Sequence, residues 1–262
     1  MIAASRLREK GNKNEDGQDI DENGNIIVKT KNDLNEKPKI NFIIDQLVSQ
    51  EGKFTDREIR EHIFTLLITA SETSANFVAT CLVYLAIHQD VQQKLYEEIK
   101  NVLYSEELEV DYEAMNSMKY LDMIVKEALR LSSPIPISIR KTLDVVDIGE
   151  KKPLPKDTVI LLLNFVLHRR RDIWGSTADN FNPENFSPEK VSQRDPYNFV
   201  PFGMGPRGCI GVKYAMFSAK VELIMFIKKF KFLTKLTHSD TRMKIVFTGK
   251  MISKHMVSIQ KR

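Results

Sequence analysis

Cys209 is the residue best placed to do chemistry in this chain. It stands in the run Phe202-Gly-Met-Gly-Pro-Arg-Gly-Cys-Ile-Gly211, a glycine-punctuated loop with Arg207 two residues ahead of the thiol. The thiolate, not the thiol, ligates metals, and burial alone would raise its pKa. Ala215, Met216, Ala219, Leu223, Phe226 and Ile227 recur at helical spacing between Val212 and Phe230. Cys209 is therefore expected at or just before a helix N-terminus, where free N–H groups and the positive dipole end stabilise an anion. Gly205, Gly208 and Gly211 are expected to let the main chain turn tightly and approach a flat group. Arg207 suits a charge-assisted bond to a carboxylate, and Phe202 would pack beside the sulfur and keep water away. A bare cysteine before a helix reads as core packing, since free Cys is among the most buried residue types. The whole spacing, Phe-x-x-Gly-x-Arg-x-Cys-x-Gly, favours a loop that presents the thiolate as a ligand.

Other constellations lie upstream. Glu127-Ala-Leu-Arg130 sets an acid and a base three residues apart on one helical face, a pair worth only ~0.2–0.5 kcal/mol when it stands alone on a helix surface. Thr69-Ala-Ser-Glu72-Thr73-Ser74 puts a carboxylate beside a hydroxyl inside a long apolar helical pattern. Arg140 follows Pro134 and Pro136, and Pro183-Glu184-Asn185-Phe186 and His168 to Trp174 precede the cysteine loop.

In order and spacing these motifs resemble those of the cytochrome P-450 haem-thiolate monooxygenases of the animal microsomal type, from roughly Ile40 to the C-terminus. The resemblance implies that Cys209 is the proximal ligand of a haem iron, where thiolate donation favours O–O cleavage. It implies that Arg207 and Arg140 hold haem propionates, and that Phe202, Gly205 and Gly211 shape the loop. Glu72 and Thr73 match the oxygen-activating stretch, where protons must be delivered while bulk water is excluded. Ala70 stands where glycine is usual there, so any local opening of the helix is expected to be smaller. Glu127 and Arg130 match the Glu-x-x-Arg pair that fixes the segment supporting the haem loop. Asn185 replaces the arginine that completes this network in relatives; it keeps a donor but not the charge or the fork. His168 and Trp174 read as structural. The resemblance further implies an α-rich fold with a small β component, a lipophilic substrate, dioxygen, an NADPH-dependent reductase as electron donor, and the endoplasmic reticulum membrane. A basic face for that reductase could draw on Arg169, Arg170, Arg171, Lys213 and Lys220. Full-length relatives are nearly twice as long, so the chain is expected to be the C-terminal half of such a protein. A catalytically incompetent fragment that at most binds haem or a partner is the alternative.

Composition bounds the rest. The formal charge of +4 is too mild to argue for nucleic acid. Cys81 and Cys209 stand in unlike contexts, and nothing in the sequence suggests a disulfide framework or a zinc site. Met1 to Lys10 shows no signal or anchor pattern. Ile63 to Ile87 is long enough to span a bilayer, but a central carboxylate costs about 2.5–3.5 kcal/mol there, and Glu72 and Asn76 mark it as a core helix.

Two segments are expected: residues 1–39, polar and disordered, and residues 40–262, the haem-binding part. Helices are expected over Ile40–Val48, from the Thr55-Asp-Arg-Glu58 capping box to about Ile87, and over Asp90–Leu103, Tyr120–Leu131 and Val212–Phe230. Strand-like runs are Ile137–Arg140, Val145–Ile148 and Thr158–Leu163, with Lys244–Thr248 and His255–Gln260 forming a terminal sheet. Arg169–Pro201 reads as irregular.

Overall fold

A computed structural model describes residues 42–50, 52–103, 110–150, 152–245, 248–252 and 256–262; the expected disordered segment 1–39 lies outside them. The chain divides after Thr69, within a long helix, into two compact units.

In the first unit, α1 (Ile43–Val48) realises the short amphipathic helix. It buries Ile44 and Val48 with Ile59, against Leu47, Phe54 and Ile63. The long helix α2 (Asp56–Ile87) opens as the capping box predicts: Glu58 N–H donates to Thr55 Oγ1 at 3.3 Å, and Glu58 Oε2 accepts from Thr55 N–H at 2.8 Å. By length and composition α2 could cross a membrane, and only 28% of its most apolar window is buried. The core-helix expectation holds for its second half, where Phe77, Val78, Cys81, Val83, Tyr84, Leu85 and Ala86 are buried. Phe64, Leu67 and Ile68 in its first half are exposed.

In the second unit the end of α2 shares one core with α3 (Gln89–Val102), α5 (Lys119–Ser132) and α9 (Val212–Lys229). The apolar spacing read from the sequence is the buried face on α3 (Leu95, Ile99) and α5 (Leu121, Ile124, Val125, Ala128). On α9 it holds for Ala219, Leu223 and Ile227, but Phe226 is exposed and Ile224, not read as part of that face, is buried. Between α3 and α5 lies an unforeseen one, α4 (Tyr112–Ser117), capped by Asp111 Oδ1, which accepts from Ala114 N–H at 2.6 Å. Six residues are too few to show a helical period. Pro134 follows α5 and stops it.

Among the described residues the β component is three antiparallel two-stranded sheets. β1 (Ser138–Lys141) pairs with β2 (Val159–Leu162), Ile139 opposite Leu161 and Arg140 opposite Ile160. Asp157 takes φ 65° in the turn before β2. The expected strand Val145–Ile148 shrinks to one bridge, Val146 with Leu154. The stretch expected to be irregular contains α7 (Arg171–Trp174), α8 (Pro188–Ser192) and short 3-10 turns, while α6 (Asn164–Leu167) precedes it.

The terminal sheet is corrected. β4 (Met243–Ile245) folds back on β5 (Gly249–Met251), and β6 (Ser258–Lys261) pairs instead with β3 (Phe230–Leu233), directly after α9. Gln92 of α3 clips β3 in place: its amide donates to Phe232 O at 2.9 Å and to Leu85 O at 2.8 Å, and its Oε1 accepts from Phe232 N–H at 2.9 Å.

Candidate functional site

Cys209 is exposed, and its thiol lines a cavity of about 270 Å³ together with Thr73, Ser138, Arg140, Asn164, Phe202 and Arg207. Pro134, Ile135, Pro201, Gly203 and Ala215 complete the lining. Strand alternation explains how β1 serves this site: Ser138 and Arg140 face the cavity, so Ile139 and Lys141 face away. The loop closes through one backbone bond, Cys209 N–H to Phe202 O at 2.9 Å, and α9 starts three residues after the thiol, with Gly211 as its cap residue. The cavity is adjoined by a pocket of about 40 Å³, also lined by Thr73 and Phe202.

The glycines divide differently from expectation. Gly203 (φ 70°) and Gly205 (φ 71°) take conformations that L side chains rarely adopt. Gly208 is needed for space instead: a Cβ there would lie 3.2 Å from Gly205 O. At Gly211 a Cβ would meet Cys209 Sγ at 3.7 Å, an ordinary contact. Gly203 was not singled out in the sequence, although its place in the loop was the available signal.

Arg140 and Arg207 form no ion pair among the described residues; Arg140 Nη1 donates only to the carbonyl of Ile139, at 2.9 Å. Two guanidinium groups without carboxylates therefore line the cavity that holds an exposed thiol. Asn164, which is buried, is a lining residue that sequence reasoning missed; nothing in its local pattern marked it.

Glu72 does not join this group. Its carboxylate receives Lys250 Nζ at 2.8 Å and Thr248 Oγ1 at 3.2 Å, and it lines a separate cavity of about 470 Å³ with Asn76, Lys244 and Met251. The Lys250 bond, followed by that from Thr248, holds its carboxyl below the usual range. Neighbouring residues of a helix point about 100° apart, so the turn that aims Thr73 at the thiol cavity aims Glu72 away.

Behind the loop, Glu127 and Arg130 are fully buried and joined by two bonds of 2.7 Å. Arg130 spends its remaining donors on His168 O (2.7 Å), Ala178 O (2.6 Å) and Asn180 O (3.1 Å). Glu127 also accepts from Asn182 N–H at 2.9 Å and from Asn185 Nδ2 at 3.1 Å. Every charge is bonded, which a buried ion pair requires. Asn185 thus occupies the network as an amide donor. Arg194 brings a nearby charge: it donates to Asn185 O at 2.8 Å and stacks 3.9 Å from the centre of Trp174, against which Arg130 also lies at 4.8 Å.

Not all of the expected basic face is free. Lys220 is buried against Asp122 at 2.6 Å, Arg169 is half-buried and bonded to Leu131 O, and Arg170 is paired with Asp172. Cys81 is fully buried, and burial pushes its thiol pKa up, as a core role requires.

The family model for cytochrome P450 matches residues 14–257, starting upstream of Ile40 within the polar segment. The chain belongs to the cytochrome P450 family. Among similar proteins of Drosophila melanogaster, probable cytochrome P450 313a1 is 32% identical over 244 residues, covering 91% of this chain and 50% of the relative. Cytochrome P450 6a2 is 32% identical over 80% of this chain and 43% of the relative. Cytochrome P450 4g1 is 28% identical over the whole chain and 46% of the relative. The chain spans about half the length of the curated relatives it matches. Its α-rich architecture with small sheets is consistent with the cytochrome P450 fold. The cofactor this family implies is haem, and the residues present fit it: an exposed thiol to ligate iron, and two arginines without carboxylates for acidic side arms.

Proposed function

We propose that residues 40–262 are the C-terminal, haem-binding part of a haem-thiolate monooxygenase that inserts one atom of dioxygen into a lipophilic substrate. The observation that carries this reading is the meeting of an exposed Cys209 thiol with Arg140 and Arg207 in one cavity. A bound haem would supply the activation of dioxygen. Cys209 would ligate its iron, Arg140 and Arg207 would hold its propionates, and Phe202, Gly205 and Gly211 would shape the loop around the sulfur. Thr73 would pass protons into the cavity, and Glu72, one residue away, would feed that hydroxyl once released from Lys250. The Glu127–Arg130–Asn185 network would hold the loop's support rigid. The apolar lining from Pro134, Ile135, Phe202 and Ala215 suits a lipophilic substrate. Electrons would come from an NADPH-dependent reductase, and the protein would work at the endoplasmic reticulum membrane.

The test is spectral. The reduced, carbon-monoxide-bound chain should show the far-red-shifted Soret band of thiolate ligation, and Cys209→Ala should abolish it. A thiolate spectrum that survives in the alanine variant would refute the assignment.

A second reading is favoured by the exposed apolar face of the β1–β2 hairpin, which carries Ile139, Val159 and Leu161. On it, the isolated chain binds haem but turns nothing over. Reductant consumption no higher than that of free haem, with the thiolate band present, would support it.

A further inference from the structure

We infer that His168 is a positioning residue: its imidazole Nε2, acting as a hydrogen-bond acceptor, straps the segment from which the Cys209 loop hangs to the Glu127–Arg130 pair. Two bonds make the strap. Arg130 Nη1 donates to the carbonyl of His168 at 2.7 Å, and Val200 N–H donates to His168 Nε2 at 3.0 Å. From Val200 the chain turns at once into the loop: Gly203 N–H donates to Val200 O at 3.0 Å, and Cys209 N–H to Phe202 O at 2.9 Å. Ser133 Oγ, just past α5, donates to Pro201 O at 3.2 Å and holds the same segment from a second side.

A packing role alone does not account for this side chain. His168 is fully buried beside the ring of Phe199, 5.4 Å between centres, and its Nδ1 has no hydrogen-bond partner. With Nε2 accepting, the proton of the neutral ring sits on Nδ1, so a buried donor is left unbonded, which folded proteins rarely carry. An apolar residue would fill the space without that penalty; what it would lack is an acceptor for Val200. Burial above all, then the nearby Arg130 and Arg169, push the imidazole pKa down to about 4, which keeps Nε2 open as an acceptor at neutral pH.

His168→Gln places an amide oxygen where Nε2 stands, His168→Asn places it a bond short, and His168→Leu supplies only volume. In the 262-residue chain, hydrogen exchange of the Val200 amide should quicken roughly tenfold in the Leu and Asn variants, and stay within about threefold of the parent in Gln. Alkylation of Cys209 by iodoacetamide should change in the same order. With haem added, the share of thiolate-type Soret band should fall in Leu and Asn and recover in Gln; only this arm rests on the thiolate reading. Equal exchange at Val200 in Gln, Asn and Leu overturns the strap, and so does Leu matching the parent. Should Leu fail to fold, the Gln and Asn pair decides by the same criterion. Loss of the thiolate reading through Cys209→Ala would leave the Val200 result standing.

Discussion

At the scale of single residues, the most consequential side chains here are those whose protonation the fold constrains. His168 is neutral in the native state down to about pH 4, whereas an ordinary histidine takes up its proton near 6.5. Above pH 6.5 both folded and unfolded chains hold it neutral. Between 6.5 and 4 only the unfolded chain gains the proton, so stability should fall by about 1.4 kcal/mol per pH unit, about 3 kcal/mol in all by pH 4. Urea unfolding at pH 7 and at pH 5 reads this directly, and His168→Gln should flatten the slope. A parent and variant with equal slopes would remove the histidine from the account. Glu72 is also shifted down, but there the shift favours the charged form: Lys250 and then Thr248 hold its carboxyl low. Lys250→Met should therefore raise the Glu72 pKa toward the ordinary carboxylate value, as followed by carboxyl NMR. If the titration does not move, the 2.8 Å contact with Lys250 is not what holds the charge.

At the scale of elements, what the sequence disclosed depended on how far apart the partners lie. The helices α2, α3, α5 and α9 were legible because an apolar helical spacing is written locally, and α2 also opens on a capping box while α5 ends just before Pro134. The six-residue α4 is shorter than any period. Strand pairing was not legible, because β6 finds β3, whose residues lie 25–31 positions earlier, and no local pattern names that partner. The site followed the same rule. The loop residues Phe202, Arg207 and Cys209 are read from one run, and the family's motif added Arg140 and Thr73. Glu72 lines a different cavity, since neighbouring helical residues point about 100° apart. Gln92 was invisible for the same reason as β6, since all its meaning lies in Phe232, 140 residues away. It nevertheless joins α3 to β3 by two hydrogen bonds and to Leu85 O of α2 by a third. Gln92→Leu would leave Phe232 N–H and two carbonyls without this partner, and should destabilise the chain by about 2–3 kcal/mol in denaturant unfolding. A loss under about 0.5 kcal/mol would mean that the clip is redundant with the β3–β6 ladder.

At the scale of the whole molecule, the described residues bury a fully matched ion pair while leaving the apolar face of the β1–β2 hairpin bare. The Glu127–Arg130 pair has every donor and acceptor matched, and the helices of the second unit bury their apolar faces. The β1–β2 hairpin does not. Ile139 is 64% exposed and stands directly opposite Leu161, itself 55% exposed, with Val159 on the same face at 62%. Two strands are marginally stable in water without cover on their apolar face, and large exposed apolar patches mark surfaces that bind something or associate. The 262-residue chain alone should therefore bind the dye ANS at this hairpin and self-associate as its concentration rises. Ile139→Thr with Leu161→Thr keeps β-branched or strand-compatible residues in the ladder, so the pairing register should survive while the apolar face is lost. Dye fluorescence and the sedimenting oligomer fraction should both fall in that double variant. Both quantities holding steady would place the sticky surface elsewhere, with the exposed Phe64, Leu67 and Ile68 of α2 as the next to substitute.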